Sequence, residues 1–184
     1  YKVDLVKYYY GKQQFSEALI LLDELDLETT RDSNRDYLRM IIYRRGDFSQ
    51  NKIDFYTKRV SQYPDDEENY LQLIFEYSNK GKEEKAFEIA QKLLAKKPET
   101  EQVHIALYKF YLDKKETEKA INSLHTVLKS TVVDLPSKKK VLIDFLRYSK
   151  DKEAFVSVIN NLAEIIKEVP ENDQLINIMA DYYK

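Results

Sequence analysis

The stretch Glu67–Thr100 reads EENYLQLIFEYSNKGKEEKAFEIAQKLLAKKPET. In its first half Tyr70, Leu73, Ile74 and Tyr77 fall at i, i+3, i+4 and i+7, the spacing that lines up apolar side chains on one helical face. Asn79-Lys80-Gly81-Lys82 interrupts that pattern, and Gly81 can take the left-handed backbone conformation that a helix end prefers. A second stripe, Ala86, Ile89, Ala90, Leu93 and Leu94, then runs to Pro98. The spacing predicts a helix, a tight turn and a second helix folded back on the first. Tyr77 is the large side chain of this hairpin, and Ala86 is the gap that lets the two helices approach closely. Changing either is expected to loosen the hairpin by about 1–5 kcal/mol, through a cavity or through overpacking.

The same unit recurs in both directions. Tyr9, Tyr43, Tyr77, Tyr111 and Phe145 are aromatic and stand 34 residues apart, and nine positions after each come Ala18, Lys52, Ala86, Ala120 and Ala154. A fixed period of this length is the mark of a helical-hairpin solenoid, in which each hairpin buries its apolar face against the next. Downstream, Leu107, Tyr108, Tyr111, Ala120, Leu124, Val127 and Leu128 repeat the logic, with Lys115 in place of the turn glycine and Val132 in place of the terminal proline. Upstream, Leu5, Val6 and Tyr9 with Phe15, Ala18, Leu22 and Leu25 form a further hairpin. The unit between them fits least well, because Arg39 and Lys52 occupy slots that take an apolar and a small residue. One residue of register drift there would bring Ile53 into the small-residue slot.

Tyr70, Leu73, Tyr77, Gly81, Ala86, Ala90 and Pro98 match the signature of the tetratricopeptide repeat (TPR), and the chain resembles a TPR protein over essentially its whole length. That resemblance implies an all-α, right-handed α-solenoid occupying residues 1–184 as one domain. Its approximate units are 1–31, 32–66, 67–100, 101–134, 135–171 and 172–184, about five repeats and the first helix of a sixth. In the fifth unit the stripe Val158, Leu162, Ile165, Ile166 and Val169 continues to Pro170, four residues past the usual stop. Four residues make about one turn at roughly 3.6 per turn, so the second helix is expected to be longer there. The next aromatic then falls at Tyr183, with Ile176, Met179 and Ala180 before it, and Met179 and Tyr183 are expected to lack a covering helix. The chain begins at Tyr1 without an initiator Met and ends inside a helical pattern, which reads as an excerpt of a longer protein.

Composition narrows the function. With 30 Lys and Arg against 32 Asp and Glu, the formal net charge is −2, unlike the basic excess of most nucleic-acid-binding domains. There is no cysteine, hence no disulfide, thiolate metal site or cysteine nucleophile. The two histidines, His104 on a packing offset and His125 on an outward one, have no serine or carboxylate partner at catalytic or metal-ligand spacing. Three scattered glycines cannot form a phosphate loop. No enzyme, cofactor or metal site is expected. Asp65-Asp66-Glu67-Glu68 reads as the acidic start of a helix, and Lys138-Lys139-Lys140 as a solvated face.

In TPR proteins the first helix of each hairpin lines the concave surface, with offsets five, nine and twelve pointing into it. The resemblance therefore implies a groove of Tyr37, Ile41 and Arg44, then Leu71, Phe75 and Ser78, then Ile105, Lys109 and Leu112, then Lys139, Ile143 and Leu146, with Val3, Lys7 and Tyr10 in the first unit. These are mostly apolar with a scattering of cations, and they lack the paired asparagines of the TPR clamp for C-terminal carboxylates. The implied partner is a protein, through an extended hydrophobic segment or an amphipathic helix. The alternative is that Tyr37, Leu71, Phe75 and Ile143 pack against neighbouring helices. Two other functions stay open: a structural spacer or self-association module of a larger envelope protein, acting through the C-terminal end, and an RNA-binding helical repeat. Against the last, the offset-five residues Val3, Tyr37, Leu71, Ile105 and Lys139 are mostly apolar. No stretch is long and apolar enough to span a membrane. The Lys-, Glu-, Ile-, Asn- and Tyr-rich style resembles long TPR proteins of AT-rich bacteria, which implies a bacterial origin and the periplasmic side of the cell envelope, with any signal or anchor outside this stretch.

Overall fold

The computed structural model describes residues 1–30, 32–46, 48–150, 152, 155–169 and 172–182. Among them are eleven α-helices and no strand: α1 Lys2–Gly11, α2 Phe15–Glu28, α3 Ser33–Tyr43, α4 Ser49–Gln62, α5 Glu67–Asn79, α6 Glu83–Lys96, α7 His104–Asp113, α8 Thr117–Lys129, α9 Leu135–Ser149, α10 Val156–Lys167 and α11 Asn172–Tyr182. The fold is all-α, of the helical-repeat solenoid class. It divides into two compact units, Tyr1–Phe55 and Tyr56–Lys184. The expected positions Ala154, Pro170 and Tyr183 lie outside the described residues.

Three hairpins close by the same turn. At Gln13, Gly81 and Lys115, which stand 34 or 68 residues apart, φ is 58°, 66° and 61°. The amide of the following residue reaches back to the carbonyl of the comb aromatic: Gln14 to Tyr9, Lys82 to Tyr77 and Glu116 to Tyr111, each at 2.9 Å. The left-handed residue itself donates to Tyr10, Ser78 and Leu112 respectively, at 3.0, 3.0 and 3.1 Å. This pair of bonds is the Schellman motif, which satisfies carbonyls that a helix end otherwise leaves open. Lys115 thus keeps the conformation whose glycine the sequence lacks, at a steric cost that Gly avoids. Lys115→Gly and Gln13→Gly are each expected to stabilise by about 0.5–1 kcal/mol, and Gly81→Ala to destabilise by a similar amount, in chemical denaturation. No change at Lys115→Gly would contradict this account.

In the first unit the core is Val6, Ala18, Leu19, Leu21, Leu22, Leu25, Ile42 and Tyr43. Its misfit residue, Arg39, is only 1% exposed. The guanidinium donates to Asp23 at 2.6 Å and to Asp26 at 3.0 Å, both on α2, and stacks 4.6 Å from the ring of Phe55. Arg35, one turn earlier on α3, donates to the other Asp26 oxygen at 3.0 Å and to the Thr30 carbonyl. An ionic cluster therefore joins α2 to α3 where apolar packing was expected. Burial disfavours the charged guanidinium, but Tyr43, Asp23 and Asp26 outweigh it and hold the Arg39 pKa above its ordinary value. Ile53 is buried while Lys52 is half-buried, in line with the drift of one residue. Asp32 caps α3 by accepting from the amides of Asn34 at 2.7 Å and Arg35 at 3.2 Å.

In the second unit α5 packs on α6 and α7 on α8, while α7 also meets α6 and α5. Beyond them α8 meets α9 and α10, α10 meets α11, and α11 meets α9, so first helices stack on first helices. Ala86, Ala90 and Ala120 are buried as the knob-and-gap pattern requires. Ser130 forms the turn before α9, its hydroxyl accepting from the amides of Val132 and Val133 at 3.1 and 3.0 Å. Asp134 caps α9 through the Ser137 amide at 2.7 Å.

The fifth unit departs from expectation. Its stripe is buried at Leu162, Ile165, Ile166 and Val169, but α10 has 12 residues against 14 in α6. The extra length lies before it, in α9, which at 15 residues runs to Ser149, and in the joint to α10. Ser149 is helical, its hydroxyl donating to the Leu146 carbonyl at 3.1 Å, and Lys150 has φ −53° and ψ 133°, so neither takes the left-handed turn conformation. Phe155 explains the displacement. Its ring lies 5.7 Å from Phe145 and 5.6 Å from Tyr148, and a side chain of that size beside the comb aromatic sets the start of α10 back. Met179 is also a correction: at 5% exposure it is covered, together with Leu175 at 0%. The inner face of α11 is turned by one residue from the expected one, leaving Ile176 and Ala180 outward.

Candidate partner-binding faces

The first helices of the hairpins carry the expected groove residues, and the two units are taken separately. In the first unit Tyr37 is 65% exposed on α3, Ile41 is half-buried and Arg44 is exposed. On α1, Val3 packs against the core and Lys7 is exposed. The Tyr10 hydroxyl accepts from Arg45 Nε at 3.2 Å.

In the second unit Phe75 is 57% exposed on α5, one turn after Leu71, which is half-buried against the core. Ser78 is half-buried and its hydroxyl has no hydrogen-bond partner among the described residues. Ile105 and Leu112 pack against the core cluster of α8 and α9, which makes them structural more than groove-lining, and Leu146 is buried at 1%. Lys109 is exposed but tied to Glu83 of α6. Lys139 donates to the Gln174 amide oxygen on α11 at 2.7 Å. Lys139 and Ile143 come together in a shallow recess of about 530 Å³ on α9, with Pro136, Lys140, Asp144 and Arg147.

The lysine run needs a correction, because Lys138 is buried at 1% while only Lys140 is fully outward. Helical spacing accounts for it: Lys138 lies on the face of Leu142 and Phe145, at i, i+4 and i+7. That same spacing was the available signal for the recess, since Lys140, Ile143 and Arg147 fall at i, i+3 and i+7 on the opposite side. The acidic run before α5 supplies Glu67 and Glu68 to the first turn, but Asp66 at the N-cap makes no side-chain cap bond. Dipole complementarity is its role at that helix start.

His104 is half-buried with Nδ1 3.2 Å from the Ser123 hydroxyl. No cluster of His, Asp and Glu capable of holding a metal occurs among the described residues. Burial pushes both imidazole pKa values below the ordinary 6.5, with Lys129 adding to the effect at His125. A depressed folded-state value means the unfolded chain takes up the protons first as pH falls. Stability is full above about 6.5 and is lost as pH drops from there through the folded-state values. The slope of stability between about pH 7 and 5 is expected to be shallower in His104→Gln/His125→Gln than in the parent. Parallel curves in denaturant titrations would refute it.

No helix among the described residues is long and apolar enough to cross a membrane. Comparison with curated proteins and with solved structures gives no match. A family model does match, described as the tetratricopeptide repeat protein 21 ARM repeat, over residues 7–162. Helical repeat families of this kind typically mediate protein–protein interaction and are generally non-enzymatic. The match runs from α1 into α10 and takes in the hairpin turns, their comb aromatics and the α9 recess; the chain belongs to the tetratricopeptide repeat protein 21 ARM repeat family.

Proposed function

We propose that the protein is an interaction scaffold that holds a peptide or amphipathic helix of a partner protein on the faces of its first-of-hairpin helices. The observation that carries this is Phe75: a large aromatic side chain left 57% exposed on α5, at an offset that the TPR resemblance directs into the groove. A side chain needed only for packing would be covered, as Tyr70, Leu73 and Ile74 on the same helix are. The 34-residue period runs through both units, which supports one continuous array of about five repeats. No catalytic, cofactor or metal role belongs to the proposal.

Self-association through the C-terminal end has less support, because Met179 is buried and the outward residues of α11, Ile176 and Ala180 apart, include Asp173, Gln174, Asn177 and Asp181. Against RNA binding stand the mostly apolar offset-five residues Val3, Tyr37, Leu71 and Ile105. The test is affinity capture from native lysate with the parent and with Phe75→Glu, followed by Leu71→Glu/Phe75→Glu. Proteins held by the parent are expected to be lost from both variants. Retention of the same proteins by a Phe75→Glu chain with unchanged helical circular dichroism would remove α5 from the binding face.

A further inference from the structure

Several lysines of the second unit pair with acids. Lys92 pairs with Glu88 at 2.7 Å, Lys97 with Glu67 at 3.5 Å and Lys167 with Glu164 at 2.7 Å, and Lys109, Lys114 and Lys119 pair with Glu83, Glu84 and Glu116. Others, Lys80, Lys82 and Lys96 among them, form no ion pair among the described residues, and the α9 recess gathers two such cations on one helix face. Lys140 and Arg147 are exposed and form no ion pair or hydrogen bond among the described residues, and Lys139 meets only the neutral amide of Gln174. Asp144 shares the face, at i+4 from Lys140 and i−3 from Arg147, yet pairs with neither. Between the two free cations lies Ile143, half-buried, and one turn before Lys140 the exposed ring of Pro136 extends this apolar floor.

We propose that this recess docks an acidic amphipathic helix of a partner protein, with carboxylates reaching Lys140 and Arg147 and an aliphatic side chain set against Ile143. The geometry fixes the spacing. Lys140 and Arg147 are seven residues apart on one helix, about 10 Å at 1.5 Å rise per residue. A helix laid alongside α9 offers the same interval between acids at i and i+7, and its i+3 and i+4 positions face Ile143 in between. A volume of about 530 Å³ accommodates a few side chains, which matches an acid–apolar–acid stripe. Two unmatched cations also steer an acidic segment toward the recess before contact. This inference rests on the scaffold reading above, because it assigns the partner chemistry at one part of the same series of helix faces.

The probe is a synthetic helical peptide with Glu at i and i+7 and Leu at i+3 and i+4, compared with a twin carrying Gln for both Glu. Fluorescence anisotropy with the full chain is expected to show the acidic peptide binding about tenfold tighter than its twin, with the difference shrinking as salt rises. Lys140→Glu/Arg147→Glu, both at exposed positions, is expected to abolish that difference without changing helical circular dichroism. Ile143→Ser should weaken acidic and neutral peptides alike. Equal binding of acidic peptide and twin overturns the proposal, as does acidic-peptide binding unaffected by the charge reversal. Displacement by a short single-stranded RNA at an equal concentration also overturns it, in favour of a nucleic-acid contact. Phe75→Glu separates the two readings. If lysate partners are lost with Phe75→Glu while peptide binding shows no charge preference, the scaffold stands and the α9 assignment falls. If only the charge reversal matters, in both assays, the α9 site stands and α5 is not part of it.

Discussion

Asp26→Ala is expected to be the most damaging single change in the first unit, at about 3–5 kcal/mol. Its two carboxylate oxygens serve different arginines, one accepting from Arg35 and the other from Arg39, both at 3.0 Å. Removing it leaves two buried guanidinium groups short of their shared counter-charge, and the penalty of an unmatched buried charge exceeds the worth of the contact itself. Asp23 also accepts from Arg39 but is 64% exposed at its side chain, so water replaces much of what Asp23→Ala removes. Its cost is expected to stay below about 1 kcal/mol. Replacing the cluster by apolar side chains, as in Arg35→Leu/Arg39→Met/Asp26→Leu, should recover most of the stability. Chemical denaturation of the full chain, followed by hydrogen exchange at α2 and α3 amides, distinguishes these effects. Equal small losses at Asp23 and Asp26 would show that the cluster is no more than surface pairing.

Phe145→Ala is the second large effect, expected at about 3–5 kcal/mol in the other unit. Phe145 is fully buried, packed edge-on against Phe155 at 5.7 Å, and lies in the largest core cluster. The cavity it leaves is bordered by helices α8, α9 and α10, whose other side chains are already committed, so collapse is restricted. The equivalent aromatic Tyr77 is half-buried, with Lys85 5.7 Å from its ring, and Tyr77→Ala should cost less than half as much. Comb residues are equivalent in sequence but unequal in burial. Melting curves that rank Tyr77→Ala at or above Phe145→Ala would contradict the burial argument.

The hairpins were legible in the sequence because their signal is repeated: one face of apolar residues, one break, one aromatic and one small residue at a fixed interval. The all-α fold and the solenoid class follow from that repetition, and burial of Ala18, Ala86 and Ala120 agrees with it. What failed was local and had steric or ionic causes. Arg39 counted as a misfit because its acids sit thirteen and sixteen residues away on another helix, a distance no periodicity argument covers. The stripe predicts the one-turn extension in α10, but Phe155 packs against the comb aromatic Phe145 immediately before α10 begins, and α10 has only 12 residues. For the candidate site, offsets located Phe75 and the pair Lys139 and Ile143 on outward faces, while Ile105, Leu112 and Leu146 turned inward. Offsets describe direction around a helix. They say nothing of how deep the neighbouring helix sits.

The hydrogen bond from the residue after each left-handed turn to the carbonyl of the comb aromatic couples two things usually set independently. Tyr9, Tyr77 and Tyr111 place their side chains for packing and their carbonyls for closing the turn, so one residue fixes both the side-chain register and the point where the chain reverses. A single residue gained or lost between the aromatic and its small partner would put these two demands out of phase. One gained between hairpins would not. Length variation in such an array is therefore confined to the joints or to hairpins without the coupled bond, and α9 to α10, whose length has changed, is one of these.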